Sequence, residues 1–391
     1  MKVMFIHNRY TQAGGEDVAV ELEMQSLASR NHEVYPVIFE NEASPRGLIN
    51  KFTSVKEAVY SKESAARVEK AIGLFQPDIV HVHNWFYEAS PSVLDAAHNQ
   101  GVPVVMTLHN YRLVCANALL LRNNQPCELC VNKTFGYPGV WHKCYHDSAV
   151  QSAWVTGITG THKKRGTWQQ KVNTYIVLTE FAKSRLAGSS LNVAPEKMLI
   201  KPNFIPDPGE STAPRENFFL YAGRLSDSKG VHVLPDAFRE LNSELLIVGE
   251  GPEKEALQQK AASAANITFA GGKDRNELLN LMKRCKAVVF PSIWYEGLPF
   301  IIIEAFATGT PVIASNLGSM SELIRHQHNG LHFRPGDASD LCQAIRAFEN
   351  NNTEMYRNAR QSYLDHYSEE QHYRSIIRIY EKTIATAGKH V

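Results

Sequence analysis

The sequence predicts an α/β protein built from two doubly wound domains with a cleft between them, and three observations carry that reading. Short apolar, β-branched runs bounded by turn residues alternate with helical patterns of roughly 10–15 residues, as in βαβ units. The runs are continuously apolar, as in parallel sheets covered on both faces. The 391 residues exceed one ordinary domain and suit two of about 150–200 each.

The first half supplies the runs KVMFIHN, HEVYPVIFE, PDIVHVHN, PVVMTLHN and NTYIVLTE. The second supplies FFLYAGR, ELLIVGEG, ITFAGG, AVVFPS, PVIAS and GLHF. Between the halves, NFIPDPGESTAPREN (203–217) holds three prolines and several small polar residues and reads as a linker. The last element is a helix in which Ser368 and Gln371 suggest a capping box. Tyr373, Ile376, Ile377, Tyr380 and Ile384 make one apolar face along it.

Composition narrows the function classes. With 43% hydrophobic and 21% charged residues the chain is of the soluble globular kind. The 41 basic and 40 acidic side chains leave a net charge of +1, which argues against wholesale nucleic-acid binding. No run approaches the roughly 18 apolar residues that span a bilayer, and MKVMFIHNRY is too short an apolar stretch for a signal peptide. A cytoplasmic protein, or one lying on the membrane rather than crossing it, is expected. In doubly wound sheets ligands bind beyond the C-terminal strand edges, so the loops after the strands should carry the chemistry.

In SIWYEGLPFIIIEAFATGTPVIAS (292–315) two glutamates, Glu296 and Glu304, bracket an apolar run. The loop Ile293–Gly297 follows a strand, Pro299 suits the first turn of a helix, and the N–H groups of Gly297, Leu298, Pro299's neighbours and Phe300 would form an anion site. One carboxylate at the mouth and one further along can grip two separated hydroxyl-bearing groups, as in a sugar and a ribose joined by a diphosphate. A helix cap and a solvent-facing acid are the plain alternative, but Glu304 lies among Ile301, Ile302, Ile303, Ala305 and Phe306, and a buried carboxylate needs a strong partner.

In YAGRLSDSKG (221–230) a strand ends at Gly223, and Arg224 and Lys229 follow. Two cations on a glycine-bounded loop make a pyrophosphate clamp. No Asp-x-Asp pair is present to hold a divalent metal, so no catalytic metal is expected. In HNRYTQAGGEDVAVELE (7–23) a strand leads through Gly14 and Gly15 into a helix opened by Glu16 and Asp17. This is not the Gly-x-Gly-x-x-Gly fingerprint and argues against a nicotinamide enzyme. A Gly-Gly loop at a helix start can still receive a phosphate or admit an acceptor. His109 ends a strand and faces the expected cleft, whereas His81 and His83 take a structural reading first.

Together these pieces resemble glycosyltransferase family 4, the retaining nucleotide-sugar transferases of GT-B fold, over nearly the whole chain. AGRLSDSKG, the Glu-x7-Glu pair Glu296/Glu304, ATGTPVIAS, GSMSELI, NGLHFRPGD and the terminal helix stand in family order. The resemblance implies two Rossmann-like domains. Residues 1–205 form an acceptor-side domain joined by the C-terminal helix 368–391 crossing back to it, and residues 206–367 bind the nucleotide-sugar. It implies that Glu296 and His109 meet the donor sugar, Glu304 the ribose, Arg224 and Lys229 the diphosphate, and the backbone of Gly297–Phe300 both the sugar and the diphosphate. Gly15 would lie near the diphosphate, and Gly271, Gly272 and Lys273 near the base. Retention is explained in this family by front-face attack within an ion pair, and no side chain is assigned as a covalent nucleophile. The implied activity moves a sugar from a nucleoside diphosphate to a glycan or lipid-linked glycan in bacterial surface-polysaccharide (lipopolysaccharide-type) assembly, at the inner face of the cytoplasmic membrane.

Cys115, Cys127, Cys130 and Cys144 depart from the common pattern of the family. Their spacing, C-x11-C-x2-C-x13-C, fits a four-thiolate structural zinc, with His142 or His146 able to replace one ligand. Unliganded thiols are the alternative, and a cytosolic setting disfavours disulfides. Residues 131–171 hold six Lys/Arg against one acid, Asp147, interleaved with Phe135, Tyr137, Trp141, Tyr145, Trp154 and Trp168. That mixture suits an anionic membrane surface or an aromatic acceptor pocket. Rival functions are a GT-B nucleotide-sugar epimerase or hydrolase, which would need no acceptor, and a zinc-stabilised nucleic-acid-binding module on residues 115–171, which net charge opposes.

Overall fold

The structure, a computed structural model, describes residues 1–10, 14–41, 57–211, 213–350 and 353–388. Parts of the Gly-Gly loop and of the linker, and the last three residues of the terminal helix as expected from sequence, lie outside the described residues. Contacts divide the chain into one unit of Met1–Leu120, Glu128–Pro202 and His372–Val391 and another of Leu121–Cys127 and Asn203–Gln371.

In the first unit, six strands form a wholly parallel sheet: β1 (Lys2–Arg9), β2 (Glu33–Glu40), β3 (Ile79–Val82), β4 (Val104–Leu108), β7 (Thr174–Val177) and β8 (Met198–Ile200). The short ribbon that falls between β4 and β7 in sequence pairs β5 (Leu121–Arg122) with β6 (Gln125–Pro126). The order β2-β1-β3-β4-β7-β8 places the reversal of winding between β1 and β3. Val3, Phe5, Ile79, Val105 and Ile176 supply the sheet side of one core, and Val20 and Leu27 come from the helix Gly15–Ala28. Ile376, Ile379 and Tyr380 join them from the terminal helix Glu369–Ala387, so the expected apolar face is buried in this unit. The Ser368 hydroxyl donates to the Leu364 carbonyl at 3.2 Å, back into the preceding helix.

The second unit carries the parallel strands β9 (Phe218–Ala222), β10 (Glu244–Val248), β11 (Ile267–Gly271), β12 (Val288–Phe290), β13 (Val312–Ser315) and β14 (Gly330–Phe333). They run in the order β11-β10-β9-β12-β13-β14. This is the doubly wound dinucleotide-type order, with its crevice at the C-terminal ends of β9 and β12. Phe219, Tyr221, Phe238, Val289, Ile313 and Phe348 pack the core behind those ends. The loops that the topology opens to ligand are therefore 223–230 and 291–299.

Candidate active site

The two loops are drawn together by a glycine. Gly230 has φ +65°, and a Cβ there would lie 1.9 Å from the Pro291 carbonyl oxygen, so no other residue permits this approach. Lys229, one residue earlier, thereby places Nζ 2.6 Å from Glu296 Oε1. The Ser292 hydroxyl donates to the same oxygen at 2.7 Å, and that of Ser319 holds the Glu296 carbonyl at 2.8 Å. Glu296 is buried. Lys229 also sits 5.5 Å from the ring centroids of Phe290 and Trp294, whose faces attract its charge. Arg224 is on the exposed part of the same loop, its carbonyl held by the Tyr221 hydroxyl at 2.9 Å.

The helix after the second loop is Phe300–Ala307, and Pro299 occupies its N-cap position with ψ 119°, one place earlier than the first-turn position read from sequence. Glu304 is buried on this helix. Its partner, which the sequence reading missed, is Arg275, whose Nε lies 3.1 Å from Glu304 Oε1. Burial holds the Glu304 carboxyl above its ordinary range, with Arg275 opposing. Arg275 is placed by a capping box. Asp274 accepts from the Glu277 N–H at 2.9 Å and Glu277 accepts from the Asp274 N–H at 3.2 Å, which starts the helix Arg275–Arg284. The preceding loop contains Gly271 at φ +67°, Gly272 and Lys273, whose Nζ pairs with Glu277 at 3.0 Å. Gly297 and Leu298 complete the approach to the Phe300 helix.

In the first unit Gly15 opens its helix, and Asp17 reaches back to the Gly14 N–H at 2.8 Å while accepting from His7 Nε2 at 2.8 Å. His109 follows β4, half-buried, and lines a pocket with Glu16, Asn84, Thr107, Asn110 and Arg112. Burial drops the His109 ring to about 3, so it is neutral. Burial, with Asp17 adding, pushes the Glu16 carboxyl up to about 8. The sequence reading took Glu16 only as a first-turn acid and passed over Arg112.

Behind His109 stands a buried ionic cluster. His81 and His83 are both part of it, and its centre is Glu23, which no sequence motif singled out. Lys201 Nζ lies 2.7 Å from Glu23 Oε2, His372 Nε2 3.1 Å from the same oxygen, and His81 Nδ1 2.9 Å from Oε1. Lys201 and His81 hold the Glu23 carboxyl well below its usual range against the cost of burial.

Among the described residues, the set of three His, Cys, Asp or Glu ligand atoms within 4.8 Å of one another is Glu23, His81 and His83. Cys115, Cys130 and Cys144 belong to the first unit and form no such set, and none of the six cysteines is in a disulfide. Cys115 Sγ donates instead to Asn117 Oδ1 at 2.9 Å. In the aromatic stretch Trp168 is fully buried, whereas Trp141 is 84% exposed and Tyr137 60%. No helix among the described residues is long and apolar enough to cross a membrane.

The profile described as Glycosyltransferase Family 4 matches residues 13–206, and that described as Glycosyl transferases group 1 matches 207–363. The chain belongs to glycosyltransferase family 4. Over 157 residues it is 34% identical to glycogen synthase of Mycobacterium tuberculosis, a match covering 38% of this chain and 37% of that enzyme. Across four such relatives the chain spans less than half of their length. Sucrose-phosphate synthase from Thermosynechococcus elongatus has the same fold, with TM-score 0.71 and 16% identity over 98% of this chain and 99% of that one. So does Anabaena Alr3699/HepE, solved with UDP and glucose, at TM-score 0.68 and 16% identity over 98% and 100%. The two Rossmann-like sheets are those of the GT-B fold of this family.

Proposed function

We propose that the chain is a retaining glycosyltransferase that moves a sugar from a nucleoside diphosphate to a glycan or lipid-linked glycan, in bacterial surface-polysaccharide assembly. The observation that carries this is the pairing of Lys229 with buried Glu296, and of Arg275 with buried Glu304, on elements that follow β9, β11 and β12. A buried carboxylate with a single cation keeps unused acceptor sites. Glu296 is thus set to take sugar hydroxyls when Lys229 turns to the diphosphate, and Glu304 to take the ribose. Arg224, Lys229 and the N–H groups at the start of the Phe300 helix would neutralise the leaving diphosphate without a divalent metal. His109 would meet the sugar, Gly15 the diphosphate, and Gly271–Lys273 the base.

A thermal-shift panel of UDP-, GDP- and ADP-sugars tests the donor half, since ligand raises apparent stability by mass action. The UDP in the Anabaena structure makes UDP-sugars the first choice. A glycosyltransferase should then turn over only with acceptor, and should do so in EDTA; turnover without acceptor would favour the epimerase or hydrolase. The proposal places the protein on the cytoplasmic face of the membrane through exposed Trp141 and Tyr137 with Lys133 and Lys143. Co-sedimentation with anionic vesicles, reduced in Trp141→Ala, is the check. A structural zinc requires the four thiols to draw together on binding it. Metal analysis decides: about one zinc per chain, lost in Cys127→Ser/Cys130→Ser, supports it, and metal-free reduced protein removes it.

A further inference from the structure

Glu23 lies on the buried stripe of its helix, between Ala19 and Leu27, where an apolar residue would serve packing. A carboxylate can only accept hydrogen bonds, so every ring nitrogen facing it must carry a proton. Burial lowers His81, His83, His109 and His372 below the ordinary histidine range, leaving each ring one N–H and one lone pair. The protons can then be followed outward. His372 Nε2 lies 3.1 Å from Glu23 Oε2 and so carries the proton beside the carboxylate, although it makes no hydrogen bond to it, leaving Nδ1 to accept from Lys201 Nζ at 3.3 Å. His81 Nδ1 hydrogen-bonds the Tyr380 hydroxyl at 2.7 Å and carries its proton beside Glu23 Oε1, 2.9 Å away, leaving Nε2 to accept from the Thr107 hydroxyl at 2.8 Å. Both assignments leave the next contact with a donor and an acceptor.

His83 is the link to the site. Its Nε2 is buried 3.5 Å from Glu23 Oε1 and makes no hydrogen bond, so the nearby carboxylate acts on it through its charge. A lone pair facing a carboxylate in so dry a place is strongly unfavourable, so Nε2 carries the proton. His83 Nδ1 is then an acceptor, and His109 Nε2, 2.9 Å away, must donate to it. His109 is left with a bare Nδ1. Glu23, His81 and His83 also come close enough to suggest a metal site, but Lys201 already neutralises the carboxylate at 2.7 Å.

We propose that Glu23 is a positioning residue for the transfer reaction: through His83 it fixes the tautomer of His109, so that His109 Nδ1 meets the ligand as a hydrogen-bond acceptor for a sugar hydroxyl. The role rests on the reading above in which His109 contacts the donor sugar; the tautomer itself does not. Nothing titrates in the process and no proton is transferred. The cluster supplies a fixed polarity to a ring that would otherwise exchange between two tautomers.

Two measurements test it. In the full chain labelled with 15N-histidine, NMR should show His109 Nδ1 at the downfield position of an unprotonated ring nitrogen and Nε2 protonated. A protonated Nδ1 overturns the proposal whatever the substrate is. The second is a cycle of Glu23→Gln, His109→Ala and the double variant, with Glu23→Asp as the conservative change. Glu23→Gln should lower kcat by about ten- to a hundredfold, leave the affinity for the bare nucleoside diphosphate unchanged, and be largely rescued by Asp. In the His109→Ala background the same substitution should cost no more than about twofold. An equal loss in both backgrounds overturns the proposal and reduces Glu23 to a scaffold residue. Should Glu23→Gln fail to fold because Lys201 loses its partner, Glu23→Gln/Lys201→Met removes both charges and enters the same cycle. A parent that turns over no nucleotide-sugar defeats the proposed function alone, and the NMR result still decides the tautomer.

Discussion

Glu304 and Glu296 are held by different cations, and that difference predicts separable losses. Glu304 meets Arg275 on a neighbouring helix, at the side assigned to the nucleoside, so Glu304→Ala should weaken bare nucleoside diphosphate by about tenfold, the worth of one charge-assisted hydrogen bond. Glu296→Ala should leave that affinity intact and lower kcat with the full donor, because its partners Lys229 and Ser292 then hold no sugar-binding carboxylate. Isothermal titration with the diphosphate and steady-state kinetics with the sugar nucleotide separate the two; parent-like behaviour of both variants would make the pair scaffold. Arg275→Ala should copy Glu304→Ala. Its role was not readable in sequence, because Arg275 and Glu304 lie 29 positions apart on separate helices and only the packing of those helices joins them. Glu23 did leave a signal: an acid in register with Ala19 and Leu27 on an apolar stripe. Its partners Lys201 and His372 left none.

Elements were easier to read than partners. Each of the runs read as a strand became one, since β-branched continuity between turn residues is a local property. The three-residue edge strand Met198–Ile200 and the ribbon at Leu121–Pro126 escaped, being too short to show any period. The Ser368 hydroxyl, read as a cap, also donates to the Leu364 carbonyl of the preceding turn. The loop 223–230 was legible as a glycine-bounded cation loop, but what fixes it was not, since the Pro291 carbonyl that excludes a Cβ at Gly230 is 61 residues away. Gly230→Ala should therefore destabilise by at least about 1–2 kcal/mol from the left-handed backbone alone, with the 1.9 Å clash adding to it. Urea unfolding reads that loss. Diphosphate affinity should fall with it, because Lys229 moves when the loop does. A variant with parent stability and affinity would show that the loop closes without needing glycine.

At the scale of the whole molecule, the chain's last helix completes a unit whose sheet begins at its second residue. Two predictions follow from that dependence. Acid should attack this unit first. His372 is held down to about 4 by burial and by Lys201, whereas an unfolded histidine titrates near 6.5. The unfolded chain therefore binds the extra proton as pH falls from about 6.5 toward 4, and stability drops by up to about 1.4 kcal/mol per pH unit for such a ring. Glu23 has the same sign: its carboxyl is depressed, so its contribution is present above the ordinary glutamate range and is lost as pH falls through the folded value. Tryptophan fluorescence reports mainly this unit, since Trp85, Trp141, Trp154 and Trp168 lie in it and Trp294 in the other. Its melting temperature should fall between pH 7.5 and 5, and less steeply in His372→Leu; an unchanged slope would remove His372 from the cause. Deleting the helix after Ser368 is the stronger test. Ile376, Ile379 and Tyr380 are buried against Val3, Phe5, Val105 and Ile176, and at about 1.5–3 kcal/mol each they contribute roughly 5–9 kcal/mol. A domain has only about 5–15 kcal/mol in all. The truncated chain should lose the cooperative unfolding of the first unit while the second, with its own core around Phe219 and Phe348, keeps a separate urea transition. If the first-unit tryptophans still unfold in one transition at the parent's urea concentration, the helix is an accessory to that core and the assignment of residues 372–391 to the first unit has no energetic meaning.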